Sequence, residues 1–208
     1  GIREYYASRG LGDVYKRQFQ YSTLGIHILT GIIAVVSKMT TVDFANKYLF
    51  EPLTIAPRKI YVAPDAEAHK AFTVGKTPKG NIWFSDPMGV GAAGYGLCLS
   101  AEEMSKIGLL CLQKGVFHNK RIVSEKWIEE STKVRLRCNE KFRDMMYGYL
   151  WWIIDENERS YAAIGNSGNV IYINPQKKLV VAVSGYFKPT VFDRIDFIKE
   201  QIEPFVTK

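Results

Sequence analysis

Tyr161–Gly185 reads YAAIGNSGNVIYINPQKKLVVAVSG. Three β-rich runs are separated by two turns. Asn166-Ser167-Gly168 closes the first run, and Asn174-Pro175-Gln176-Lys177 links the second to the third. Val170–Ile173 and Leu179–Val183 are dense in β-branched residues, which suit a pleated surface. Leu179–Val183 is apolar without alternation, which predicts cover on both of its faces. The Gly165–Gly168 turn sets backbone N–H groups at a strand end with little side chain above them. That pattern fits an oxyanion or ligand site, and it fits an ordinary turn equally.

Moving outward, a helix is predicted after Pro189. It places Ile195, Ile198, Ile202 and Phe205 on one face, with Asp193 and Asp196 at its positive end. Upstream, Tyr147–Ile154 (YGYLWWII) reads as one aromatic strand, and Ser124 caps a short helix carrying Trp127 and Ile128. Asn119-Lys120 makes a turn. Ser100-Ala-Glu-Glu103 is a capping box opening a helix with Met104, Ile107, Gly108, Cys111 and Leu112 on one face, closed by Gly115. Gly89–Gly96 (GVGAAGYG) lacks the Gly-Lys-Ser/Thr ending of a phosphate loop. Its glycines therefore point to close packing or special dihedrals. Pro57–Pro87 reads as a long irregular lobe. A helix is expected from Thr40 or Thr41 to Phe50, with Phe44, Tyr48 and Leu49 on one face and Pro52 ending it. Leu24–Lys38, capped by Ser22 or Thr23, reads as a buried apolar helix. The order implies an α+β fold, an antiparallel sheet covered by helices with a helical lobe.

The chain has 208 residues, 47% hydrophobic and 24% charged, an ordinary balance for a globular protein. A net charge of +7 is spread along the chain, whereas a nucleic-acid footprint needs clustered basic residues. The Leu24–Val36 stretch is too short for a bilayer span, so no transmembrane segment is expected. Cys98, Cys111 and Cys138 are too few and too far apart for a disulfide framework or a zinc site. His27, His69 and His118 show no ligand spacing. Neither a metal nor an organic cofactor is implied.

Several segments resemble one family in the same order along the chain. FQYSTLGIHILTGIIAVVSKMT (19–40) resembles the second-motif region of the serine β-lactamase and penicillin-binding-protein superfamily, in its class C and esterase-like branch. Phe50-Glu-Pro-Leu53, GAAGYGLCLSAEEMSKIG (91–108), YGYLWW and the 163–185 hairpin resemble its later motifs. The resemblance covers Phe19–Val206. It implies a β-lactamase/transpeptidase-like fold and nucleophilic catalysis: a Ser in Ser-x-x-Lys attacks a carbonyl and an acyl-enzyme is then released. Tyr21 matches the family's catalytic Tyr, with Ser22 beside it. Thr23 stands where Asn is usual, replacing an amide's donor and acceptor with one hydroxyl. Asn166-Ser167-Gly168 stands where the substrate and oxyanion strand carries Lys-Thr-Gly, His-x-Gly or Trp-Gly-Gly. No cation lies on that strand, which favours a neutral ester or amide over a carboxylate-bearing substrate.

None of the serines is followed by Lys three residues on, so the chain holds no nucleophile motif. Asp13–Gln18 (DVYKRQ) is also the translation of the transposase mosaic-end sequence used in library preparation. Residues 1–18 are accordingly read as an assembly artefact, and 19–208 as the C-terminal part of one β-lactamase-like domain lacking its N-terminal strands and nucleophile helix. The function expected is that of a serine hydrolase fragment from a protein acting on a small-molecule ester, amide, lactam or peptide. On its own the fragment is expected to be inactive and poorly soluble, because a central strand becomes an edge. The alternative is a non-catalytic, penicillin-recognising-like binding protein.

Overall fold

The structure, a computed structural model, describes residues 19–74, 80–138, 140–143, 145–165, 168–185 and 193–206, with the backbone alone at 141 and 193. Helix α1, Thr23–Ser37, starts where the Ser22 hydroxyl accepts from Gly25 N at 3.2 Å and stops at Lys38 in the left-handed region. It is not the buried helix that its composition suggests. Thr30 is its one fully buried residue, while Leu24, Ile28, Ile32 and Val35 are 69, 59, 53 and 79% exposed. These four recur at helical spacing on one side. The opposite side carries the contacts, with Thr41 Oγ1 donating to Thr30 O at 3.0 Å.

Helix α2, Thr41–Ala45, is capped by Thr40 and widens into a π-helical turn, Asn46–Phe50. Its core face is Val42, Ala45 and Phe50, continued by Leu53 and Ile55. Phe44 and Tyr48 instead pack on each other, their rings 4.8 Å apart and tilted by 49°, and Tyr48 is half exposed. The wide turn inserts an extra residue per revolution, so a face drawn at the ordinary helical period misses Phe50. No single helix among the described residues is long and apolar enough to cross a membrane.

The lobe after Pro57 is more regular than its sequence suggests. Strand β1 (Lys59–Tyr61) pairs in parallel with β2 (Ile82–Phe84), and α3 (Ala66–Thr73) lies between them in sequence. Asp65 caps α3 by accepting from Ala68 N at 2.7 Å, and Phe72 anchors it. Three-residue strands are too short to register as a period. Helix α4, Ala101–Leu112, opens with the expected capping box at Ser100 and Glu103. Glu103 also accepts from the buried Arg58 at 2.5 Å, tying the lobe to α4.

Strands β3 (Val116–Phe117) and β4 (Lys120–Arg121) form a hairpin whose turn residues are His118 and Asn119, one position earlier than expected, both at positive φ. Helix α5 is Glu125–Ser131, capped by Ser124. The aromatic run then divides into two strands. Strands β5 (Leu136–Arg137), β6 (Met146–Tyr147) and β7 (Trp152–Asp155) are antiparallel neighbours. A side chain at Gly148 would collide with the Ser131 carbonyl, and Leu150 takes φ +65°. Both features break the run after Tyr147.

Strands β8 (Ser160–Ile164), β9 (Val170–Asn174) and β10 (Leu179–Val183) complete one six-stranded antiparallel sheet, ordered β10-β9-β8-β7-β6-β5. The last helical stretch comprises α6 (Asp193–Phe197), a π-helical turn (Ile198–Ile202) and α7 (Glu203–Val206). Ile195 and Ile198 are buried as expected, but Phe205 is 72% exposed and Glu203 takes the inward place. The π turn moves the face by one residue. Pro204, which has no N–H, stands just after it.

Helix α4 covers one face of the sheet, where Met104 and Cys111 meet Ile153, Tyr161, Ile171 and Ile173. Burial pushes the Cys111 thiol up to about 12, which marks a core residue rather than a reactive one. The last helical stretch covers the other face, where Ile195 and Ile198 meet Ala162, Val170 and Tyr172. Both faces of β10 are therefore packed: Val180 and Ala182 toward α4, Leu179, Val181 and Val183 toward the last helix. β10 also stands at the end of the strand order among the described residues.

Candidate active site

Antiparallel registers bring distant residues to one end of the sheet. Trp152 pairs with Ala162 and with Tyr147, and Ile164 pairs with Val170, which pairs with Val183. The C-terminal end of β8 and the N-terminal end of β7 therefore lie together. Tyr21 arrives at this end from the segment before α1. Its ring stacks on Trp152 at 6.1 Å with 15° between planes, and it lies 6.2 Å from Phe142. Phe19 packs edge-on against Phe142, Tyr147 and Trp152 at 5.0 to 5.9 Å. Tyr21 itself is 41% exposed. Its ring is thus packed on one side and open to solvent on the other.

Tyr147 sits deeper. Burial raises its hydroxyl pKa well above the ordinary tyrosine range, and the neighbouring Tyr21 and Cys138 raise it further. Its ring meets Trp152 edge-on at 4.8 Å and Phe19 at 5.0 Å. YGYLWW carried the resemblance without marking Tyr147 and Trp152 as the seat for Tyr21.

Ser22 and Thr23 stand next to Tyr21 in different roles. The Ser22 hydroxyl caps α1. The Thr23 methyl fills the space over Gly94, where any Cβ would collide with it. Four residues on, His27 Nδ1 accepts from Ala93 N at 3.1 Å, and its ring meets Tyr95 edge-on at 5.6 Å. The glycine-rich loop is thereby docked onto the start of α1. This agrees with the close-packing reading of Gly89–Gly96, and the contact at Gly94 needs a residue without a side chain.

Asn166 and Ser167 lie outside the described residues. Gly168 is buried at φ +83°, a conformation that favours glycine. Its N–H donates to Gly165 O at 2.9 Å and Gly165 N donates to Asn169 O at 2.9 Å, so these two amides close the turn. Gly168 also faces a residue that the sequence reading did not single out. A Cβ at Gly168 would lie 3.0 Å from Cζ, Nε and Nη2 of Arg194. Nothing in the sequence marks Arg194, because the strand and the helix are brought together only by the fold. Arg143, next to Phe142, donates to both carboxylate oxygens of Asp196 at 2.8 and 3.0 Å, which ties α6 to this end of the sheet.

Among the described residues no group of three or more His, Cys, Asp or Glu side chains could hold a metal ion. Among the described residues, this end of the sheet carries a half-exposed phenol, an aromatic wall and the guanidinium groups of Arg143 and Arg194.

A sequence model of the beta-lactamase family matches residues 1–198. The 6-aminohexanoate-dimer hydrolase of Paenarthrobacter ureafaciens is 23% identical over 177 residues, covering 82% of this chain and 40% of that protein. A Bacillus anthracis structure provisionally described as a 6-aminohexanoate-dimer hydrolase superposes with a TM-score of 0.63 at 18% identity, over 91% of this chain and 45% of its own. A beta-lactamase structure from Mycobacterium bovis gives 0.61 at 16% identity, over 92% and 65%. The fold is shared with both. The chain spans less than half the length of the two 6-aminohexanoate-dimer hydrolases it matches.

Proposed function

The chain belongs to the beta-lactamase family, and from that premise we propose that it is the C-terminal part of a serine hydrolase that opens an ester or amide through an acyl-enzyme. The observation that carries this reading is the seat of Tyr21. The residue that matches the family's catalytic tyrosine is stacked on Trp152 with its ring half open to solvent. A serine hydroxyl is a weak nucleophile at neutral pH and needs a proton acceptor within hydrogen-bond reach. In this reading Tyr21 shares that work with the Lys of a Ser-x-x-Lys that the 208 residues do not contain. The substrate is a small ester or amide, in keeping with a relative named for hydrolysing a 6-aminohexanoate dimer.

In this reading the 208 residues alone are inactive, and residues 1–18 are an assembly artefact, although the span of the family match includes them. The test is to sequence the source DNA upstream of the Phe19 codon, using a library prepared without transposase, and to express the full reading frame. A Ser-x-x-Lys upstream, together with covalent labelling of its serine by a fluorophosphonate, is the expected result. If the codons for 1–18 are genomic and no labelling occurs, the hydrolase reading fails and a non-catalytic binding protein remains.

A further inference from the structure

We infer that His27 is a positioning residue that holds the glycine-rich loop beside Tyr21, and that it does so only as a neutral imidazole, so that acid releases the loop. The ends of the loop are pinned to β2 by main-chain bonds. Ala92 N donates to Phe84 O at 2.8 Å, and Phe84 N donates to Gly96 O at 3.0 Å. Between those ends, Ala93 and Tyr95 meet imidazoles from two different helices. Ala93 N donates to His27 Nδ1 of α1 at 3.1 Å, and the Tyr95 hydroxyl lies 3.3 Å from His69 Nε2 of α3. Gly94 sits under the Thr23 methyl, two residues from Tyr21.

The two imidazoles are not equivalent. A hydroxyl can donate or accept, so the Tyr95–His69 contact survives a change in the protonation of His69. A main-chain N–H only donates. His27 Nδ1 must therefore carry its lone pair, with the proton of the neutral ring on Nε2. Protonating Nδ1 would set two donors against each other at 3.1 Å and end the bond. Imidazole is the side chain that ordinarily changes charge between about pH 5 and 8. The titratable group facing His27 is Tyr95, edge-on at 5.6 Å, and Tyr95 in turn meets His69. The carboxylates of the adjoining elements are engaged elsewhere. Asp43 of α2 accepts from the Thr40 hydroxyl, Asp65 before α3 from Ala68 N, and Asp86 from the amides of Met88 and Val90. Among the described residues neither these nor Glu67 and Lys70 of α3 form an ion pair with His27. No counter-ion among them thus offsets the loss of the Ala93 bond.

The bearing on catalysis rests on the role of Tyr21 proposed above, but the test needs no nucleophile, so an absence of hydrolysis would not imitate its failure. Amide hydrogen exchange of the 92–96 segment is measured by mass spectrometry at about pH 8 and about pH 5, with the Thr23 methyl followed by NMR in the methyl-labelled chain. Both readouts tolerate association of the chain. After correction for the intrinsic rate, protection at Ala93 should fall about ten-fold on acidification, the loss of one hydrogen bond, and the Thr23 methyl resonance should shift with it. His27→Asn supplies an acceptor oxygen that does not titrate and should abolish both changes. His27→Leu, with no acceptor, should show the fast exchange at both pH values, and His69→Gln should leave the pH response in place. Protection at Ala93 that does not change with pH, a Thr23 methyl that does not follow it, or a response that persists in H27N with the protein folded by circular dichroism, overturns the assignment.

Discussion

The Tyr172 hydroxyl donates to Glu203 Oε1 at 2.6 Å, across the interface between the sheet and the last helix. Asn174 donates to the same oxygen at 3.1 Å, and Lys177 reaches Oε2 at 2.7 Å. Lys177 therefore does more than decorate a solvated turn. Burial pushes the Glu203 carboxyl up, but the bonds from Lys177, Tyr172 and Asn174 outweigh it and leave the pKa below the usual 4.5. A carboxylate with a depressed pKa stabilises the fold above its unfolded value, and that contribution is lost as pH falls through the folded one.

Glu203→Ala should therefore destabilise the chain by about 2–4 kcal/mol in urea unfolding. Removing one partner of a buried pair usually costs somewhat more, and Lys177 is partly solvated. Glu203→Gln should flatten the loss of stability below pH 4.5. A cost under about 0.5 kcal/mol for Glu203→Ala, typical of a surface position, would mean that this network does not hold the helix.

Gly108 sets how closely α4 approaches the sheet. A Cβ there would lie 2.5 Å from Val180 Cγ1 and 3.0 Å from Ile171 Cγ2. Alanine is the better helix former by about 1 kcal/mol, yet overpacking costs about 1–3 kcal/mol. Val180 is β-branched and has little rotamer freedom with which to retreat. Gly108→Ala should therefore lower the melting temperature, and adding Val180→Ala should recover part of the loss. Additive effects in the double mutant would exclude the contact.

The outer face of α1 presents Leu24, Ile28, Ile32 and Val35 to solvent in the 208-residue chain. Contiguous apolar surface of this kind drives association. The isolated chain should bind a hydrophobic dye and sediment above its monomer mass. Ile28→Glu with Val35→Lys should reduce both effects while changing stability by less than about 0.5 kcal/mol, because neither side chain is packed. Strong destabilisation by the pair would show that the face is covered in solution.

The β8–β10 meander was legible in the sequence because β-branched runs and turn residues agree there. The Ser100 capping box was legible because it is local. What sequence periodicity misplaced has a common cause. Phe50 and Glu203 lie at π-helical turns, where the period of the buried face changes. The exposure of α1 is likewise absent from its own composition, because burial depends on which neighbours are present. At the candidate site, Tyr21 could be singled out by resemblance. Trp152, Tyr147 and Arg194 could not, since register and helix docking bring them into place across more than a hundred residues.

The most direct measurement is the turnover of a short-chain nitrophenyl ester by the product of the full reading frame, with and without Tyr21→Phe. The account predicts that loss of the phenol lowers kcat by about 10²–10⁴-fold, the usual range for a general acid–base, with the melting temperature unchanged because the ring still stacks on Trp152. Turnover within about two-fold of the unmodified protein, far short of the usual loss of a proton-transfer group, would contradict it and reduce Tyr21 to a packing residue.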